Sequence, residues 1–155
     1  MTGPLEAGLA LVYGVVSALV PVVNAEAYAL VLAGRTHPAL AIPMVLALAA
    51  GQTVGKLVLF EAARRGSGRL ERRFATRSEG RAARWAERIR DSLRSRRTGL
   101  PMVLASASLG LPPLAAVSLA AGASGQRHWE FGVVCLVGRT ARFALLVLPV
   151  VWAFS

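Results

Sequence analysis

The charged residues of this 155-residue chain are sharply segregated, and this segregation limits what the chain can fold into. Thirteen of its 18 Lys and Arg residues and four of its eight acids lie in residues 62–97. The rest of the chain has too few charges to cover the water-facing surface of a soluble globule, and the 55% apolar composition of the whole chain is unlike that of a disordered polymer. The sequence therefore predicts an integral membrane protein with an arginine-rich insert.

Two apolar segments have the length of one straight membrane-spanning helix each. A spanning helix needs about 20 mostly apolar residues, and residues 38–60 and 128–154 meet this requirement. Lys56 is the only charge in the first segment, and Glu61 follows it closely. Because both residues lie near a helix end, the sequence favours a role as interfacial anchors for them.

The other two apolar segments are interrupted by proline. Pro21 divides residues 5–34, and Pro112 and Pro113 divide residues 98–123. Each half is too short to cross a membrane, which suits a re-entrant helical hairpin that enters and leaves on one side. A kinked full span is the alternative, and helix geometry alone does not distinguish the two.

The two halves of the chain repeat the same order of motifs. A Gly-x-Thr triplet follows the first broken segment at Gly51 and the second at Gly138. Each half therefore predicts a broken hairpin followed by a spanning helix, as in transporters built from inverted repeats. We predict a single all-α membrane domain over residues 1–155, with two inverted repeats. Gly51 and Gly55 also belong to a small-residue face, which is typical of close helix packing.

The insert of residues 62–97 joins the two repeats and combines its arginines with an apolar stripe at helical spacing. The stripe consists of Leu70, Phe74, Ala82, Trp85, Ile89 and Leu93. Such a basic amphipathic helix suits the surface of an anionic leaflet, and the positive-inside rule assigns it to the cytoplasm. Nucleic acid binding is the rival interpretation of the charge, but the stripe and the flanking membrane segments favour lipid. The preference for Arg over Lys is typical of a GC-rich bacterial genome, so we expect a multi-pass protein of a bacterial plasma membrane.

Two arginines, Arg139 and Arg142, lie near the middle of the last predicted span and on one helix face. Each costs about 2.5 to 3.5 kcal/mol on insertion scales, so hydrophobicity does not explain them. Two guanidinium groups suit bidentate capture of a phosphate head group. The structural alternative is that they bind hairpin carbonyls or Glu26 and hold the break together.

Glu26 opens the second limb of the first broken segment. The N-terminus of a half-helix favours an anion, whereas an apolar setting favours the protonated carboxyl group. These opposing effects make Glu26 the candidate for proton coupling. The alternative is a helix-start acid paired with Arg139, Arg142 or Arg35, and the two roles are compatible.

Three groups of residues resemble, in order, the DedA family of small polytopic membrane proteins, also called the VTT or SNARE-associated family. They are Pro21-Val22-Val23-Asn24-Ala25-Glu26, Gly51-Gln52-Thr53-Val54-Gly55-Lys56 and Gly110-Leu111-Pro112-Pro113. The resemblance implies two inverted re-entrant hairpins and movement of lipids between leaflets, with polyprenyl phosphates or phospholipids as cargo and proton coupling in some members. The chain departs from the family where Lys56 replaces a frequent acid, and where Ser108, Leu111 and Leu114 stand in place of frequent arginines.

The expected function is a transporter or scramblase for a phosphate-bearing lipid, with Glu26 as the proton-coupling residue and Arg139 and Arg142 as head-group ligands. The alternatives are a small proton-coupled multidrug-type exporter and a non-transporting membrane scaffold. Two arginines suit an anionic head group and repel a cationic drug. Because hydrolase, zinc-protease and phosphate-loop motifs are absent from the sequence, we expect no enzyme, no cofactor, no metal site and no nucleic acid partner. A homo-oligomer is compatible with these features.

Overall fold

The computed structural model describes residues 3–19, 25–33, 38–75 and 81–154, and these residues form seven α-helices. The helices are α1 Gly3–Leu19, α2 Ala25–Ala33, α3 Pro38–Ala75, α4 Arg81–Arg94, α5 Arg96–Leu109, α6 Leu114–Ala123 and α7 His128–Phe154. No strand occurs in these described ranges. The prediction of an all-α protein is therefore confirmed.

The chain divides into two compact units. Unit 1 consists of Met1–Gly55 and Cys135–Ser155, and unit 2 consists of Lys56–Val134. Helices α3 and α7 each contribute one segment to each unit.

Two helices are long and apolar enough to cross a membrane, in the segments Leu40–Gly66 of α3 and His128–Ala153 of α7. The predicted end of the first span at residue 60 differs from the structure, in which α3 continues to Ala75. The charges that mark the start of the insert do not interrupt the helix, because charged side chains at i and i+4 support helical backbone. Arg65 and Glu61 form such a pair, with Nε and Oε1 2.6 Å apart.

Helices α1 and α3 approach each other closely in unit 1, and the approach depends on glycine. A Cβ atom added at Gly51 would lie 2.1 Å from the carbonyl oxygen of Leu11, and one added at Gly55 would lie 2.5 Å from Cβ of Ala18. No side chain fits at such distances, so the two backbones pack directly, as small-residue faces of membrane helices do.

The apolar core of unit 1 joins α2, α3 and α7. Its buried members are Ala25, Ala29, Ala41, Val45, Leu48, Ala49, Phe143, Val147 and Val151. The rings of Tyr13 and Tyr28 stack beside this core with centroids 4.0 Å apart. Because α2 packs in this core together with α7, the first turn of α2 is held near the middle of α7.

The predicted break at Pro112 and Pro113 falls between two helices. Pro112 and Pro113 lie between α5 and α6, and Gly110 caps α5 with a left-handed backbone, φ 80°. Glycine adopts this conformation without the steric cost of a Cβ atom, which explains why α5 ends here. Pro21 lies outside the described residues, and α1 and α2 are the helices on its two sides.

Helix α4 of unit 2 differs from the prediction for the insert. Its apolar residues Ile89 and Leu93 are buried, and the helix packs against α5 and α6. These two positions of the stripe are therefore covered by protein and not by a lipid leaflet. The sequence pattern did not distinguish the two cases, because an amphipathic helix has the same periodicity against protein and against lipid. Arg84, Arg88 and Arg94 of α4 are exposed.

Candidate functional site

Helix α7 carries Arg139 and Arg142 in the segment that belongs to unit 1. A separation of three residues puts both side chains on one face of the helix. Neither residue is exposed, and the side chain of Arg142 retains 21% of its accessible surface. The structure therefore describes two half-buried guanidinium groups within a helix that is apolar enough to span a membrane.

Arg142 binds Glu26, the second residue of α2. The Nε atom of Arg142 donates to Oε1 of Glu26 at 2.8 Å, and Nη2 donates to the same oxygen. The Glu26 side chain is 38% exposed, so the pair is neither fully hydrated nor fully desolvated. The sequence analysis named this ion pair as the alternative role of both residues, beside proton coupling for Glu26 and head-group binding for Arg142. It links α2 to α7 across 116 positions of the sequence.

Arg139 differs from Arg142 at its Nε atom. Its buried Nε atom has no hydrogen-bond partner among the described residues. A buried donor without an acceptor loses its hydration, which costs about 1 to 3 kcal/mol and more for a charged group. Glu26 therefore compensates Arg142 and leaves the Nε group of Arg139 available for a further acceptor.

A narrow apolar crevice lies in unit 1. Its volume is about 10 Å³, and it is lined by Ala10, Tyr28, Ala29, Met44, Val45, Leu48 and Val147. The crevice has room for about one water molecule and offers almost no polar partner for it. An acyl or polyprenyl chain does not fit into this crevice while the helices have the described arrangement.

Unit 2 contains a buried acid that the sequence analysis did not identify. Glu130 is only 4% exposed and accepts two hydrogen bonds from Arg96, one from Nε to Oε2 at 3.2 Å and one from Nη2 to Oε1. Arg127 supplies a second positive charge 3.9 Å away. The three-residue spacing between Arg127, which directly precedes α7, and Glu130 was the sequence signal for this cluster.

Glu61, predicted to be an interfacial anchor, belongs to a second polar cluster of unit 2. Its Oε2 atom lies 2.5 Å from Nε2 of His128 on α7, and Nδ1 of His128 lies 3.1 Å from a guanidinium nitrogen of Arg64. Because an arginine can only donate, Nδ1 is the acceptor and Nε2 carries the proton that faces Glu61. The cluster is exposed and joins α3 to α7 within unit 2.

Lys56 and the two glycines of α3 have different environments. The Lys56 side chain is buried, which differs from the predicted anchor, because an anchoring lysine extends its ammonium group to water. Gly51 and Gly55 lie against α1 and provide the close packing described above.

Metal binding has no support in the described part of the chain, where no group of three His, Cys, Asp or Glu side chains is arranged to hold an ion. Comparisons with protein-family models, with curated proteins and with solved structures find no match to this chain. The resemblance to the DedA family therefore depends on the sequence motifs quoted above.

Proposed function

We propose that this protein is a membrane transporter or scramblase that moves a phosphate-bearing lipid, a polyprenyl phosphate or a phospholipid, between leaflets. The observation that carries the proposal is the pair of arginines on α7, of which Glu26 binds only Arg142 through the contacts described. Charged side chains inside membrane segments are costly and usually have a functional role. The two arginines and the single acid of this cluster leave an excess of positive charge on the spanning helix. Such a charge suits a phosphate group, which accepts bidentate hydrogen bonds from guanidinium.

The test of this function is lipid exchange by the purified protein in liposomes. Fluorescent phospholipid or polyprenyl phosphate is loaded into one leaflet, and its appearance in the other is followed by reduction of the accessible label. We expect faster exchange than in protein-free liposomes, and loss of the acceleration in Arg139→Ala/Arg142→Ala. Arg127→Ala is the matched control, because Arg127 is an exposed arginine immediately before α7. No acceleration of either lipid by the wild-type protein would contradict the proposal.

The second part of the proposal is proton coupling through Glu26. Protonation removes the negative charge of Glu26 and with it the ion pair to Arg142. We expect the exchange rate of the wild type to depend on pH, and Glu26→Gln, which fixes the neutral state, to lose this dependence. A folded Glu26→Gln variant with the pH profile of the wild type would contradict proton coupling and leave passive scrambling in place.

The proposal includes a topology, in which residues 62–97 are cytoplasmic and both termini lie outside a bacterial plasma membrane. The sequence supports it through the positive-inside rule. Single cysteines at Thr2, Arg88 and Ser155 are introduced into a Cys135→Ser background and treated with an impermeant thiol reagent in intact cells. We expect labelling at the two terminal positions and none at position 88 before lysis. The reverse pattern would contradict this orientation.

A further inference from the structure

We infer that the Glu26 carboxylate occupies, in the empty protein, the position at Arg142 that the phosphate of the cargo takes during transport. Glu26 is then an internal counter-ion that the cargo must displace. This inference rests on the proposed function, since it concerns the same arginine cluster of unit 1.

The geometry of the ion pair supports a shared position. Glu26 accepts hydrogen bonds from Nε and Nη2, the two donors along one edge of the Arg142 guanidinium group. A phosphate group uses the same edge when it binds arginine in a bidentate manner. The two anions therefore compete for one set of donors.

The unsatisfied donor of Arg139 gives the phosphate an advantage over the carboxylate. The buried Nε of Arg139 has no hydrogen-bond partner in the described structure, although Arg142 on the same helix face is paired. A phosphate presents more acceptor oxygens, in a tetrahedral arrangement, than the two coplanar oxygens of Glu26. It can therefore accept hydrogen bonds from both arginines, whereas the hydrogen bonds described for Glu26 come from Arg142.

If the two anions compete, removal of the Glu26 charge strengthens the binding of a phosphate ligand, whereas loss of an ion-pair partner usually weakens a site. Dodecyl phosphate is titrated into the purified full chain in maltoside micelles, and its dissociation constant is measured by calorimetry. We expect Glu26→Gln to bind it about tenfold more tightly than the wild type, the factor expected for loss of one charge-assisted competitor. Glu6→Gln removes the same charge from α1 of unit 1 and is expected to change the constant by less than about twofold.

A double variant separates this effect from a general change of charge. In Glu26→Gln/Arg142→Gln the competing anion and its arginine are both absent, so we expect the gain to disappear. Glu26→Asp keeps the charge on a side chain one methylene shorter, which weakens the contact to Arg142. It is expected to bind with intermediate affinity and serves as the deciding variant if Glu26→Gln does not fold.

The outcomes distinguish the inference from the function on which it rests. If the wild type binds dodecyl phosphate and the folded Glu26 variants bind no more tightly, Glu26 is not a displaceable counter-ion, and the lipid proposal stands. If neither the wild type nor these variants bind it, both proposals fail. Inorganic phosphate is titrated in parallel. Equal affinity for both ligands, together with tighter binding by Glu26→Gln, would support displacement and contradict a lipid cargo.

Discussion

Helix α7 takes part in an arginine–glutamate pair in each unit, and the two pairs differ in which partner is buried. In unit 2 the acid Glu130 is 4% exposed and its partner Arg96 is 63% exposed. In unit 1 the arginine is the more buried partner, with Arg142 at 21% and Glu26 at 38%. An exposed arginine can satisfy a buried acid while it stays hydrated, so the pair of unit 2 is complete. The pair of unit 1 leaves a second arginine, Arg139, with a buried unsatisfied donor, and this difference is the basis of our proposal that unit 1 binds an anion.

The largest expected effect is on lipid exchange and tests the proposed anion site of unit 1. Arg142→Ala should reduce lipid exchange about 10- to 100-fold, because it removes charge-assisted hydrogen bonds worth about 1.5 to 3 kcal/mol. Arg142→Lys should retain only part of the rate, since an ammonium group lacks the planar fork. Lys56→Ala should cause a smaller loss than Arg142→Ala. Exchange at the wild-type rate by all three variants, at equal reconstituted amounts, would contradict the proposed role of Arg142 and with it the functional difference between the two units.

Close packing should be equally sensitive in both units. Gly51→Ala in unit 1 and Gly122→Ala in unit 2 each put a Cβ atom 2.1 Å from a backbone carbonyl oxygen, that of Leu11 and that of Phe60. Each variant should lose about 1 to 3 kcal/mol of unfolding free energy in detergent.

The controls for the packing prediction are Gly8→Ala and Gly132→Ala. A Cβ atom has no neighbour within 4 Å at Gly8 and meets only the side-chain end of Leu57, at 3.6 Å, at Gly132. Both controls should unfold at or above the wild-type midpoint, since alanine favours helix over glycine. A loss confined to one unit would show that the units also differ in packing.

Glu130→Gln should affect stability and leave transport unchanged. The substitution removes the charge that holds Arg96, and we expect a loss of about 1 to 2 kcal/mol in chemical unfolding. The exchange rate per folded protein should equal that of the wild type, because Glu130 is paired with Arg96 in unit 2, whereas the proposed head-group ligands belong to unit 1. A folded variant with impaired exchange would assign the pair of unit 2 a role in transport.

The smallest effect is expected at the exposed cluster of Glu61 and His128. Exposed ion pairs contribute little to stability, because water and salt screen them. Glu61→Gln and His128→Asn should therefore leave the unfolding midpoint unchanged within error in a thermal scan. A clear drop for either variant would show that this contact between α3 and α7 matters more to unit 2 than its exposure indicates.

Local sequence patterns determined the features that belong to single helices. Hydrophobic runs and prolines predicted an all-α chain, two long apolar helices and the interruption at Pro112 and Pro113, because helix length and helix breaking depend on neighbouring residues. Helical periodicity also predicted that Arg139 and Arg142 share a face.

The tertiary structure alone decided which residues meet across helices. The Glu26–Arg142 pair joins positions 116 apart, and the Arg96–Glu130 pair joins positions 34 apart. The sequence offered three arginines as partners for Glu26 and no partner on another helix for Glu130. Packing also decided that protein covers the α4 stripe at Ile89 and that Lys56 is buried. The physical reason is that periodicity fixes the face on which a side chain lies, whereas the identity of its neighbour depends on which helices pack against that face.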